Sequence, residues 1–207
     1  LIAHKNKNEK VLQEFWKFAE SKMTPDELKN MLIENDSDGL NTFHLAAYFN
    51  TKNIHESLVE LIRKTFGDDE LTRIAKTLND DWSYNIFHCA SRNSTHEENF
   101  STLFRLLGND LGIADIQSMM RQRNKWHKNV LHTLVINNEN EKVLQDFLSI
   151  LPKVFPSNDE LNQFLREKEG EYNRNALCLI AHKNKNEKVL QEFWKFAESK
   201  MTPDELK

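Results

Sequence analysis

Histidines stand at positions 44, 88 and 132, 44 residues apart each time, and imidazoles at a fixed interval are the residue type from which a ladder of metal sites could be built. Units stacked at helix-packing distance would hold such side chains about 10 Å apart, whereas one zinc ion needs its ligands within about 2.0–2.1 Å. The spacing therefore predicts structural histidines, with no metal and no cofactor. Glu34-Asn-Asp-Ser-Asp-Gly39 resembles the opening of a calcium loop, but the twelfth position, which should be a bidentate Glu, is Leu45. Asp36 and Asp38 are then expected as turn and N-cap residues of a helix at Thr42. The strongest basic cluster, Arg121-Gln-Arg123-Asn-Lys125-Trp126-His127-Lys128, could hold a phosphate or an acidic partner. A solvated joint between helical units, with Trp126 tucked against the next unit, accounts for it more simply.

Cys89 and Cys178 have no metal-ligand or disulfide spacing; buried free thiols and a reducing, cytoplasmic setting are the expectation. Neither a nucleophile–base arrangement nor a Gly-rich phosphate loop is present in the sequence. Carboxylate groups such as Asp68-Asp69-Glu70 fit helix starts, so no enzymatic activity is expected. Asn93-Ser-Thr95 and Asn99-Phe-Ser101 satisfy the glycosylation sequon, as an Asn-rich chain does by chance.

The elements that must position these residues follow from composition and periodicity. The 207 residues are 39% hydrophobic and 29% charged, with net charge −4, 5 Gly and 4 Pro. That balance excludes disordered and collagen-like chains, and its mild acidity speaks against a nucleic-acid binder, whose face is usually basic. The densest apolar stretch, Phe15–Ala19, is interrupted by charge, so no membrane span is expected; no signal-peptide pattern follows Leu1.

Self-similarity is the dominant feature. Residues Leu1–Lys29 and Leu179–Lys207 are the same string at an offset of 178. Within that period four segments align, beginning at Asn41, Asn85, Asn129 and Asn175, at spacings of 44, 44 and 46 residues. The expected organisation is one continuous array: a partial unit 1–40, units 41–84, 85–128 and 129–174, and a partial unit 175–207.

Three helices are expected per unit. The first is the short N-x-(F/L)-H segment. The second carries an i, i+1, i+4, i+5 stripe, as in Val143, Leu144, Phe147, Leu148 and Leu151, or Val189, Leu190, Phe193 and Trp194. The third covers Pro25–Glu34, Asp69–Asn79, Ala114–Arg123 and Asp159–Lys168. Thr24 before Pro25, and Ser157 three residues before Glu160, supply helix starts, while Gly67, Gly108 and Pro156 mark the joints ahead of the third helix. An apolar stripe on a helix pair needs a stacked neighbour to bury it, so the predicted fold is an all-α, elongated solenoid.

Asp36-Ser-Asp-Gly39-Leu-Asn41-Thr42-Phe43-His44-Leu45-Ala46-Ala47 resembles the ankyrin-repeat motif D-x-x-G-x-T-P-L-H-L-A-A. The match weakens to His88 with Ala90, then His132, then Cys178 in the histidine's place. The resemblance implies that His44, His88 and His132 hydrogen-bond backbone within and between units, and that Cys178 marks a departure. Asn41-Thr42 replaces the family's Thr-Pro, and each unit is about ten residues longer than the family's roughly 33; the third helix is expected where the family has a β-hairpin loop.

Three functional readings follow. The first is a structural array: identical copies suit a filament, tether or spacer, with neighbouring identical repeats as partners and self-assembly into fibres or tubes. The second is an ankyrin-type interaction scaffold whose protein partner would touch Trp82, Tyr84, Arg121, Arg123, Lys125, Trp126, Tyr172 and Arg174. The third is an engineered or pathogen-secreted effector protein. They rank in that order.

Overall fold

The computed structural model describes residues 8–49, 52–78, 81–93 and 95–204; parts of the expected terminal units, 1–7 and 205–207, lie outside them. The described residues form helices joined by turns and contain no strand. None of their helices is long and apolar enough to cross a membrane.

Helix starts are chemically marked. Asn8, Asn140 and Asn186 each accept a backbone N–H into the side-chain amide and open α1 (Glu9–Lys22), α9 (Glu141–Val154) and α12 (Glu187–Lys200). Thr24 and Glu27 form a reciprocal capping box at α2 (Pro25–Ile33), with Pro25 in the first turn. Ser157 precedes α10 (Asn158–Arg166) as expected, but its side chain makes no capping bond; the Ser–Glu spacing alone did not bring the box together.

Asn41, Asn85, Asn129 and Asn175 open α3 (Thr42–Phe49), α6 (Ile86–Ala90), α8 (Val130–Asn137) and α11 (Ala176–Lys183). The cap of α3 is thus Asn41, not Asp36 or Asp38. Asp36 keeps its turn role, accepting from the backbone N–H of Asp38 and Leu40 at 2.9 Å.

The second-helix stripe folds as its period requires. α4 (Lys52–Phe66) leads through Gly67, at φ +84°, directly into α5 (Asp68–Ala75). In α7 (Asn99–Arg121) the joint lies at Gly112 (φ 72°, ψ 159°), and Gly108 continues the helix. The expectation at Gly108 fails because both glycines sit in one apolar pattern, and only the left-handed φ, which a side chain resists, separates them. The third-helix segment then ends at Arg121 and, in the preceding stretch, at Ala75, earlier than the sequence suggested.

Packing follows two rows. Each of α1, α4, α7, α9 and α12 contacts the next of that series, and α3, α6, α8 and α11 do the same, while α5 and α10 pack on the longer row and α2 contacts both α1 and α3. One continuous core results. Phe100 of α7 meets Phe147 of α9 edge-on at 4.8 Å, and Phe155 stacks on Phe164 at 4.7 Å. α9, flanked on both sides, buries Val143, Leu144, Phe147, Leu148, Ile150, Leu151 and Val154.

Candidate functional site

The recurring histidines are held by the asparagine three residues ahead of each. The Oδ1 of Asn41, Asn85 and Asn129 accepts the N–H of His44, His88 and His132 at 3.0–3.1 Å. In return each histidine Nδ1 accepts the asparagine's own N–H at 3.3–3.4 Å. An accepting Nδ1 leaves the ring proton on Nε2. That donor reaches a backbone carbonyl further along the chain, Lys128 for His88 (3.2 Å) and Glu167 for His132 (2.8 Å). Burial drives both imidazoles down to about 4, against the opposing pull of those carbonyls. They are neutral structural groups at pH 7.

Cys178 occupies the fourth position, its N–H bonded to Asn175 at 3.0 Å. It is exposed, contrary to the buried thiol expected, because no described element lies over that side of α11; Cys89 is buried, and burial raises its thiol pKa. Among the described residues no cluster of His, Cys, Asp or Glu could hold a metal ion.

Ahead of each of these asparagines lies a tight turn with a left-handed residue two positions before it: Gly39 (φ 72°), Ser83 (φ 53°), His127 (φ 56°) and Asn173 (φ 56°). Asn124 Oδ1 closes one turn by accepting from Trp126 and Lys128 N–H at 3.0 and 3.1 Å. Glu169 closes another, accepting from Glu171 and Tyr172 N–H at 2.9 and 2.8 Å. Burial alone would raise the Glu169 pKa, but these bonds, with Lys128 nearby, hold it below the usual carboxylate range. Adjacent turns are stitched by backbone: Lys125 N–H to Trp82 O at 2.9 Å, and Gly170 N–H to His127 O at 3.3 Å.

This row of turns carries an aromatic series in which Trp126 and Tyr172 are exposed, Trp82 is half-buried and Tyr84 is buried. Trp82, Trp126 and Tyr172 each lie three residues ahead of a capping asparagine. The structure brings Trp82, Tyr84 and Trp126 together: Tyr84 lies 5.7 Å from Trp82 and 6.0 Å from Trp126, and stacks on His88 at 5.4 Å. Trp126 therefore leans on the preceding turn, not the following one, and remains 42% exposed. Arg92 adds its guanidinium over Tyr48 and Tyr84, at 5.2 and 5.9 Å. Tyr172 and Arg174 form a separate pair, 4.3 Å from guanidinium carbon to ring centre.

The basic cluster divides. Arg121 is ion-paired with Glu167 and donates to Glu160 O, and Arg123 donates to His127 O and Lys168 O at 2.8 and 2.9 Å. Both are committed to internal joints, whereas Lys125 is exposed beside the aromatic row.

A second set of asparagines has a joint-forming role that composition hides. Asn93 Nδ2 donates to Ala47 O (3.4 Å), Asn138 to Ser91 O and Asn93 O (3.3 and 3.1 Å), and Asn184 to Val135 O and Asn138 O (both 2.9 Å). Each reaches back to the end of the preceding short helix and satisfies carbonyls that have no partner inside that helix. The readable signal is N-x-N-E-K at 138–142 and 184–188, whose first Asn makes this bond and whose second caps the next helix. Asp146 acts similarly: its carboxylate accepts the N–H of Phe100 and Ser101, at 2.7 and 3.1 Å, capping α7 from α9.

Finally, one 14-residue helix occurs twice. As α1 it buries Leu12, Trp16 and Ala19 and contacts α4, leaving Val11 and Phe18 41% and 62% exposed. As α12 it buries Val189, Phe193 and Ala197 and contacts α9, leaving Trp194 38% exposed. The same sequence thus turns adjacent parts of one apolar arc inward at its two occurrences, with the equivalent alanines Ala19 and Ala197 buried in both. No family model, curated protein or solved structure matches this chain.

Proposed function

We propose that this chain is a segment of a long tandem-repeat solenoid of ankyrin-like units, serving as a filament, tether or spacer. The observation that carries the reading is the repeated 14-residue helix, which buries different edges of one apolar arc in its two copies. Val11 and Phe18 are open on α1 where their copies Val189 and Phe196 turn toward α9, and Trp194 is open on α12 where its copy Trp16 is buried against α4. An apolar arc wide enough to be buried from either edge suits a position with a neighbour on each side, as in stacked arrays. The capping asparagines, the left-handed turn residues two positions before them, and the joint asparagines Asn93, Asn138 and Asn184 recur at intervals of 44–46 residues, which supports a shared way of gripping between units.

A chain lengthened by one 178-residue period tests this by small-angle scattering. An array extends, so its radius of gyration rises well above the roughly 21 Å of a globule that long. A value near that of the globule sinks the proposal.

The aromatic row favours a second reading, an interaction scaffold with contacts at Trp82, Lys125, Trp126, Tyr172 and Arg174; Tyr84, expected among them, is buried against His88 and supports the row from beneath. Peptides selected against the intact chain should lose binding when Trp126 and Tyr172 become Ala while helicity is unchanged. Selected binders indifferent to both changes would end that reading.

A further inference from the structure

Three segments carry the N-x-(S/T) pattern that oligosaccharyltransferases accept: Asn35-Asp-Ser37, Asn93-Ser-Thr95 and Asn99-Phe-Ser101. Asn35 is exposed on the turn ahead of α3, where a glycan has room. Asn93 and Asn99 are 3% and 0% exposed, and their amides hold one joint. Asn93 Nδ2 donates to Ala47 O at 3.4 Å, and Asn99 Nδ2 donates to the same carbonyl at 3.0 Å, near the end of α3. Asn99 uses its second N–H on Ala90 O at 3.3 Å, at the end of α6. The sequon hydroxyls are engaged as well: Thr95 Oγ1 donates to Asn93 Oδ1 at 2.9 Å, and Ser101 Oγ to Glu98 O at 3.3 Å. Residues 93–95 are thereby closed into a turn, and residues 99–101 form the first turn of α7. N-glycosylation joins the anomeric carbon of an oligosaccharide to the asparagine Nδ2. The sugar leaves its lipid pyrophosphate carrier, the amide gives up one proton, and one N–H remains. At Asn99 that single N–H cannot serve both Ala47 O and Ala90 O. At either residue the sugar would be bonded to an amide enclosed in the joint, in an interior packed too closely to admit it.

We propose that Asn93 and Asn99 are glycan acceptors only in the unfolded chain, that modification of either excludes this fold, and that the chain therefore folds where N-glycosylation does not reach it. Sequons of proteins that fold in a glycosylating compartment lie on surface loops. Here two of them stand at the joint between α3 and the α6–α7 stretch, and a glycan there separates what the asparagines hold together. The inference does not depend on the array reading. It bears on the effector reading, because passage through a eukaryotic endoplasmic reticulum would disable the chain at that joint.

Yeast producing the full chain, once in the cytosol and once behind a cleavable secretion signal, tests it. The lumenal chain should carry glycans at Asn93 and Asn99, read as Asn-to-Asp mass changes after peptide N-glycosidase treatment. Molecules so modified should be digested by protease at least about tenfold faster than the cytosolic chain. Thr95→Ala with Ser101→Ala removes both sequons and leaves both asparagine amides in place. In the lumen this double variant should carry at most the Asn35 glycan and regain the protease resistance of the cytosolic chain. If it folds in the cytosol and still fails in the lumen, the glycans are not the cause and the proposal falls. A lumenal wild-type chain as resistant as the cytosolic one, whether glycosylated at Asn93 or Asn99 or unmodified at both, also overturns it. That wild-type comparison stands whether or not the double variant folds.

Discussion

At the scale of single residues, the fold depends on neutral imidazoles and on one close backbone approach. His55, like His88 and His132, is buried and lowered to about 4 by desolvation, its Nε2 lying 2.7 Å from Ala46 O and its ring 5.6 Å from His96. Above pH 6.5 these groups are neutral in folded and unfolded chain alike. Between 6.5 and about 4 the unfolded chain binds protons that the folded one refuses, so stability falls as pH falls, by up to about 3 kcal/mol per histidine. Asp146, raised by burial, works weakly in the opposite direction. Urea midpoints measured from pH 7 to pH 4 should fall steadily; a flat profile would mean that these rings are hydrated. Gly170 is a separate point of sensitivity, because a Cβ there would lie 2.5 Å from His127 Cβ. Gly170→Ala should lose about 1–3 kcal/mol in chemical denaturation, as overpacking does, and an unchanged midpoint would show that the two turns can separate.

Among the elements, what was legible in the sequence is what periodicity encodes. The stripe at Val143, Leu144, Phe147 and Leu148 is buried because α9 has helices on both sides, and the repeat interval located the short helices to within a residue of their caps. Less legible were features set by partners some 45 residues away. Asp146 reads as an ordinary polar-face residue, yet it caps α7; replacing it with Ala should cost about 1 kcal/mol and increase amide exchange at Phe100 and Ser101, and undisturbed exchange at both would remove that role. Arg121 and Arg123 form a basic cluster in one dimension and a joint in three, Arg121 paired with Glu167 and Arg123 bonded to backbone carbonyls. Cys178 shows the converse: the sequence places it in a buried position of the motif, but burial there belongs to the neighbour, not to the residue. The candidate contacts Trp82, Tyr84 and Trp126 are legible as residues near the joints between units. That they touch one another is a consequence of the stitched turns.

Over the whole molecule, the polar joints run in two opposed directions. The histidines His88 and His132 donate toward the C-terminus, to Lys128 and Glu167, while Asn93, Asn138 and Asn184 donate toward the N-terminus, to Ala47, Ser91 and Val135. Two successive junctions are therefore clasped from both sides, by His88 with Asn138 and by His132 with Asn184. Pulled apart by its ends, such a molecule has no edge from which to peel: a junction must release both clasps together, and the next is loaded only when it has. In an optical trap the extension record should be a sawtooth whose teeth are spaced by one 44–46-residue segment, roughly 150 Å of released chain at 3.3–3.6 Å per residue. A single smooth yielding would mean that the clasps do not share load. The paired direction of these small hydrogen bonds makes the chain a ratcheted spring, lengthening in counted steps.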